Sequence, residues 1–175
     1  MHDYEKLYNF GEIGKYIFTV SEIPKGSTHK VEFNRDTKVF ELDRVEPTIF
    51  AKPVSYGFIP QTTDEDNDPL DTLILTDEPV STGVVVKAKV VGVLNFEDQG
   101  ENDHKIVCVP EDDRHEGNSI NDISDLNEQL KKQIEHHFAH YKDLKRPGTT
   151  NVIGWGDAAA AWGVITDCVN RYKQA

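Results

Sequence analysis

The 175-residue chain has only two cysteines, one methionine and two tryptophans, and no long hydrophobic run. Cys108 and Cys168 are too few for a disulfide framework, and two thiols alone cannot make a cysteine metal site. Each stands in an apolar setting, Ile106-Val107-Cys108-Val109 and Asp167-Cys168-Val169, which reads as a buried free thiol. No stretch approaches the roughly 20 apolar residues that span a bilayer. Met1-His2-Asp3-Tyr4-Glu5-Lys6 leads into no apolar signal core. A cytoplasmic location with reduced thiols is expected, with no membrane partner. Positive charge is scarce as well: 19 Lys and Arg stand against 31 Asp and Glu, a formal net charge of -12. Such a surface repels nucleic-acid backbones and anionic lipid, so neither is expected as a partner. There are no internal repeats and no linker, which leaves one domain over residues 1–175 as the expectation.

What is present is an ordinary globular balance, 37% hydrophobic and 29% charged. The first two thirds alternate like strands. Lys15 to Ile23 is rich in β-branched and aromatic residues. Val31 and Phe33 pair plausibly with Val39 to Leu42 across the polar turn Asn34 to Lys38. Further strands are predicted at Thr72 to Thr76, Val84 to Phe96 and Lys105 to Val109, with a bulge or bend at Gly92. Many short strands with such a bend suggest a closed or nearly closed barrel. The last third is helical. Ile123, Leu126, Leu130, Ile134, Phe138 and Tyr141 form one apolar stripe, placing a helix from about Ser124 to Lys142. Trp162, Ile165, Val169 and Tyr172 form another after Asp157, a plausible N-cap. The fold class is therefore α+β, mainly β: a small barrel with two flanking α-helices.

The chemistry concentrates in Asp64-Glu65-Asp66-Asn67-Asp68-Pro69-Leu70-Asp71. Carboxylates this close repel one another unless a cation joins them. A hard divalent ion such as Mg²⁺ is the natural partner, since it prefers oxygen ligands. The spacing excludes an EF-hand loop, which needs Gly at its sixth position and Glu at its twelfth; here these are Pro69 and Leu75. An aspartyl-nucleophile phosphatase would want an apolar strand before Asp66-Asn67-Asp68, yet Thr62-Thr63-Asp64-Glu65 precedes it. A second acidic cluster, Asp98-Gln99-Gly100-Glu101-Asn102-Asp103-His104-Lys105, follows the long strand. Basic and hydroxyl groups complete the inventory. Lys30 and Glu32 share a strand face, Arg44 follows the next strand, and Tyr141-Lys142 ends the first long helix. Such a mixture suits a phosphate site: Arg for forked contacts, Lys as point charges and Tyr hydroxyls.

These residues, taken in order, resemble the soluble family I inorganic pyrophosphatases of the bacterial type. The signature is Asp66-Asn67-Asp68-Pro69-Leu70-Asp71. Glu22-Ile23-Pro24-Lys25-Gly26-Ser27, Lys30-Val31-Glu32, Leu42-Asp43-Arg44 and Ser55-Tyr56-Gly57-Phe58-Ile59 support it, as does His140 to Leu144. The resemblance covers essentially the whole chain. It implies a five-stranded OB-like barrel, hydrolysis of pyrophosphate to two phosphates by activated water, and several Mg²⁺ ions at the barrel mouth. It implies Asp66, Asp71 and Asp103 at a first metal, with Asp71 reaching a second. Asp98 and Asp103 take a further metal, and Glu32 lies near a fourth. Lys30, Arg44, Tyr56, Lys105, Tyr141 and Lys142 grip phosphate. Asp68 matches the general base, and Glu22 an acid that orients water. Pyrophosphate and phosphate are then the small-molecule partners, and a homo-oligomer is implied, most often a hexamer.

With every group ionised, the four cations Lys30, Arg44, Lys105 and Lys142 face seven carboxylates, so the metal-free site would reject pyrophosphate. A nucleic-acid-binding OB module is the rival reading, but it wants a basic groove, and this mouth is carboxylate-rich. The chain departs from the family pattern at Lys52, where a tyrosine is common before the proline, at Gln99, where an acid is common, and at Val31, where an aromatic is common. His136, His137 and His140 near the end of the helix suggest a pH-sensitive contact.

Overall fold

Ten strands and three α-helices run through residues 3–174, the part of the chain that the computed structural model describes. The short helix α1 (Tyr4–Leu7) and β1 (Gly11–Glu12) lead into β2 (Tyr16–Ile23) and then a hairpin of β3 (His29–Asn34) and β4 (Val39–Val45). There follow β5 (Ser55–Phe58), β6 (Asp71–Ile74), β7 (Val85–Asp98), β8 (Glu101–Asn102) and β9 (Lys105–Pro110). The chain ends with α2 (Glu128–His140), β10 (Thr150–Gly156) and α3 (Ala158–Gln174). β2, β5, β6, β9 and β7 pair in that order, and β2 also pairs with β7, so the five strands close into a ring. This is the OB-like barrel of expectation. Within the ring only β6 and β9 run parallel.

The long strand β7 makes closure possible. Its first residues pair with β2, from Val20 opposite Val85 to Ile17 opposite Ala88. Its remainder pairs with β9 on one edge and with β10 on the other. Between the two parts the register shifts at Val90 to Gly92, the bulge that Gly92 foreshadowed. A methyl group at residue 92 would lie 2.8 Å from the Gly156 carbonyl oxygen and 2.9 Å from Ile123 Cβ. Glycine is needed there because helix-side chain and strand crowd the bend. Gly57 plays a similar part in β5, where an added Cβ would stand 2.1 Å from the Val20 carbonyl oxygen.

Side chains alternate across these strands and bury two sides. Ile106 and Cys108 of β9 pack with Ala161, Ile165, Cys168 and Val169 of α3. Val107 and Val109 pack instead with Ile134 and Phe138 of α2. Both cysteines are buried free thiols, as their settings implied. Asp157 caps α3, its carboxylate accepting from the Ala160 amide at 2.8 Å.

Several features differ from the sequence reading. β5 and β10, like the two-residue β1 and β8, are strands that alternation did not reveal. β5 is only four residues long, and β10 is interrupted by Gly154, where its pairing with β7 shifts register. The helix expected from Ser124 begins only at Glu128. Asp122 closes a separate capped 3₁₀ turn over Ile123–Asp125, and Asn127 caps α2 through the Gln129 amide at 2.8 Å. Ile123 and Leu126 keep the burial their periodicity promised. Finally, α1 adds a one-turn helix to the two expected.

Candidate active site

The ends of several strands open on one cavity of about 520 Å³, lined by all thirteen residues singled out as site candidates. Each arrives for a local reason. The parallel register of β6 and β9 sets Asp71 directly opposite Lys105. β5, antiparallel to β6, brings Tyr56, whose hydroxyl donates to Asp71. β7 ends at Asp98, and the turn Gln99-Gly100, with Gln99 at φ 53°, reverses the chain toward Asp103. The Asp103 amide donates back to the Phe96 carbonyl at 2.9 Å, fixing its carboxylate at the mouth. Lys105 is 2% exposed, and its ammonium binds Asp103 and, at 2.5 Å, Asp71.

Asp66 and Asp68 sit on an exposed loop tied tightly to itself. The Asp64 amide donates to the Asp68 carbonyl at 2.7 Å, and Asn67 takes a left-handed φ of 70°. The Asp68 amide donates to the Asp66 carboxylate at 2.9 Å, so the two acids are held in a fixed relation. Partial burial pushes the Asp68 carboxyl above its ordinary pKa, with Asp66 and Glu32 adding repulsion.

The β3–β4 hairpin forms a second wall. Lys30 pairs in register with Arg44, and its ammonium reaches Glu32 and, at 3.3 Å, Asp43. Arg44 binds Glu46 and, at 2.7 Å, Asp43. Asp43 was not singled out in sequence, although it stands inside Leu42-Asp43-Arg44. From the far side, Tyr141 and Lys142 follow α2, and Lys142 binds Asp98. Burial raises the Tyr141 hydroxyl well above its ordinary pKa, with Asp98 adding repulsion. Tyr56 is raised too, by burial and then by Asp71.

Glu22 lies beneath the hairpin at 7% exposure and accepts from the Phe33 amide at 2.7 Å. Burial lifts its pKa to about 8, against one stabilising amide. It therefore holds a proton near neutrality, and the charge balance of the metal-free site is one negative less than full ionisation implies. Asp71 is raised by burial as well, and Lys105 pulls it back. Of the departures from the family pattern, Gln99 and Lys52 part company. Gln99 is an exposed turn residue facing Arg146 at 3.5 Å, outside the cavity lining. Lys52 lines the cavity. The three histidines do not form one cluster: His137 is buried, while His136 and His140 are exposed on α2. Burial, followed by Lys52 and His136, drives His137 down to about 3, so it stays neutral.

The donor set fits hydrated Mg²⁺ better than a dry cage. Among the described residues no three Asp, Glu, His or Cys side chains converge into a ready-made metal cluster. The pocket carboxylates are spaced out and all-oxygen, which suits an ion that keeps several waters and takes one or two carboxylates plus phosphate oxygens. One oxygen of Asp98 is buried without a hydrogen-bond partner, so it keeps lone pairs free for a cation.

A model of the family described as inorganic pyrophosphatase matches residues 19–173. The chain is 56% identical over 177 residues to an inorganic pyrophosphatase of Neisseria meningitidis serogroup B, covering 100% of both. It is 53% identical over 175 residues to one from Haemophilus influenzae, covering 99% of each. The crystal structure of an inorganic pyrophosphatase from Neisseria gonorrhoeae superposes with a TM-score of 0.95 at 54% identity, over 98% of this chain and 99% of that one. The Thermus thermophilus inorganic pyrophosphatase gives 0.88 at 40% identity, over 94% and 95%.

Proposed function

The chain belongs to the inorganic pyrophosphatase family, and from that premise we propose that it hydrolyses pyrophosphate to two orthophosphates by Mg²⁺-assisted attack of water in the cavity at the strand ends. One observation carries the reading: oxygen-only acids and Lys, Arg and Tyr groups, many of them directly paired, line one cavity of about 520 Å³. Asp66, Asp71 and Asp103 are assigned to a first ion, Asp71 also to a second, Asp98 and Asp103 to a further one, and Glu32 to the vicinity of a fourth. When bound, Mg²⁺ lowers the pKa of water toward neutrality and neutralises phosphate charge.

The protein's own groups do the rest. Asp68 accepts the proton as the water oxygen attacks phosphorus, and its raised pKa brings it closer to the operating pH. Glu22 orients the water. As the bridging P–O bond breaks, charge grows on the departing phosphate. Lys30, Arg44, Lys105 and Lys142 counter it, and the hydroxyls of Tyr56 and Tyr141 fix its orientation. The near-complete span of the family match supports one domain over residues 1–175. A homo-oligomer, with a hexamer favoured, is also proposed; a single monomeric boundary in sedimentation velocity would contradict it.

The test of substrate class compares orthophosphate release from pyrophosphate and from a phosphate monoester, both with Mg²⁺. Pyrophosphate should be turned over at least about 100-fold faster, because the site is built for a substrate with two phosphoryl groups. Equal rates on the two, or none on pyrophosphate, would overturn the proposal.

A further inference from the structure

Four cations of the cavity are already committed to carboxylates. Lys30 binds Glu32 and Asp43, Lys105 binds Asp71 and Asp103, and Lys142 binds Asp98. Arg44 binds Asp43 and Glu46. The fifth, Lys52, differs. Among the described residues its ammonium has no ion pair and no hydrogen bond. It stands instead 4.8 Å from the centre of the Tyr56 ring, 5.6 Å from Phe138 and 5.4 Å from Tyr141. The direction of the side chain is set by a pinned backbone. The Lys52 amide donates to the Ser27 carbonyl at 3.0 Å, and its own carbonyl accepts from Gly26 at 2.8 Å. Pro53 follows and restricts the Lys52 backbone further.

Aromatic faces attract a cation but offer no acceptor to its three N–H donors. A half-buried ammonium left that way is costly, and a surface lysine would normally carry its charge out to water. Burial, with repulsion from Lys105 next, lowers the Lys52 pKa to about 8. A ligand with several anionic oxygens would supply the missing acceptors. Two of the three rings, Tyr56 and Tyr141, also carry hydroxyls assigned to phosphate. Building on the pyrophosphatase reading, we infer that Lys52 is an additional phosphate-binding residue, the one uncommitted cation of the site, which takes an oxygen of pyrophosphate and of the orthophosphate product. A tyrosine at this position would offer phosphate one neutral hydroxyl; Lys52 offers a charge-assisted contact beside three aromatic rings.

The test is calorimetric titration of orthophosphate into Mg²⁺-loaded protein. Lys52→Met keeps the apolar stem among the rings and removes the charge, so it should weaken orthophosphate binding roughly 10- to 100-fold, the loss typical of a hydrogen bond to a charged group. Lys52→Arg should stay within about threefold of the original, since the charge is kept and a guanidinium also stacks on rings. Lys15→Met, at an exposed lysine outside the cavity lining, should change nothing. Affinity of Lys52→Met within about twofold of the original overturns the inference. A second measurement needs no variant. Acetic anhydride labelling of Lys52 in the unaltered protein, read by mass spectrometry, should slow several-fold when orthophosphate is added; equal labelling also overturns it. Failure here is distinct from failure of the function. If pyrophosphate is hydrolysed while Lys52→Met keeps full phosphate affinity, only the Lys52 assignment falls. If pyrophosphate is untouched, the function falls and the orthophosphate titration still decides Lys52.

Discussion

Glu22 and Asp68 are both acids of the same cavity, but their surroundings differ sharply. Asp68, the proposed base, lies on an exposed loop and can reach water, and Asp68→Asn removes its basic charge while leaving shape and hydrogen bonding nearly unchanged. Turnover should fall roughly 10²- to 10⁴-fold, the usual worth of a general base, while calorimetry still detects Mg²⁺ binding. Near-normal turnover would show that Asp68 is not the base. Glu22 is buried, and its pKa rises from 4.5 to about 8. In metal-free protein the folded state keeps this proton across a range in which the unfolded chain gives it up. The stability so gained is fully present below about pH 4.5 and is lost as pH rises through about 8. Thermal unfolding in chelator from pH 5 to 9 should show the original protein losing on the order of a few kcal/mol, and Glu22→Gln a flatter curve. Parallel curves would refute that assignment. Asp66, Asp68 and Asp71 were legible in sequence because their spacing is local. The burial of Glu22 and the inward turn of Lys52 were not, because both depend on contacts with distant segments: the Phe33 amide for one, Ser27 and Gly26 for the other.

The elements hold these residues through backbone pairing, and the tightest approach is at Gly57. β5 brings Tyr56 to Asp71 only because its neighbour lets β2 come within van der Waals range. A Cβ at residue 57 would stand 2.1 Å from the Val20 carbonyl oxygen, which is backbone and cannot rotate away. Gly57→Ala should therefore cost about 3 kcal/mol or more, since overpacking a closed sheet displaces strands. For a chain of this size that lowers the melting temperature by roughly 6–12 °C. An unchanged melting temperature would mean that β2 and β5 can separate freely. The long alternating strands and both long helices were legible, since periodicity over many residues carries that signal. β5, with four residues, was too short to alternate visibly. β10 was hidden because Gly154 breaks its pattern, and α2 started late because Asp122 and Asn127 supply competing caps. β10 matters to the site indirectly: the Trp155 indole donates to Glu135 at 2.5 Å and ties α2, and so Tyr141 and Lys142, to the sheet.

At the scale of the molecule, a net charge of -12 and a polyanionic substrate are in conflict. Local arrangement lessens it. Glu22 carries a proton, four cations are paired with carboxylates, and Lys52 stands uncommitted in a ring-lined niche. With Glu22 protonated, the cavity lining still holds eight carboxylates against five cations, a net excess of three negatives that two divalent ions would turn positive before substrate arrives. The acid excess was plain from composition; how much of it faces the cavity was not, because that depends on which side chains turn inward. Metal dependence is what this charge distribution predicts. The decisive measurement is the initial rate of orthophosphate release from pyrophosphate by purified protein, as free Mg²⁺ rises from chelated zero to millimolar. Two orthophosphates per pyrophosphate and a rate that vanishes in chelator are predicted. Undiminished hydrolysis in chelator, or no hydrolysis at any Mg²⁺ concentration, would contradict it.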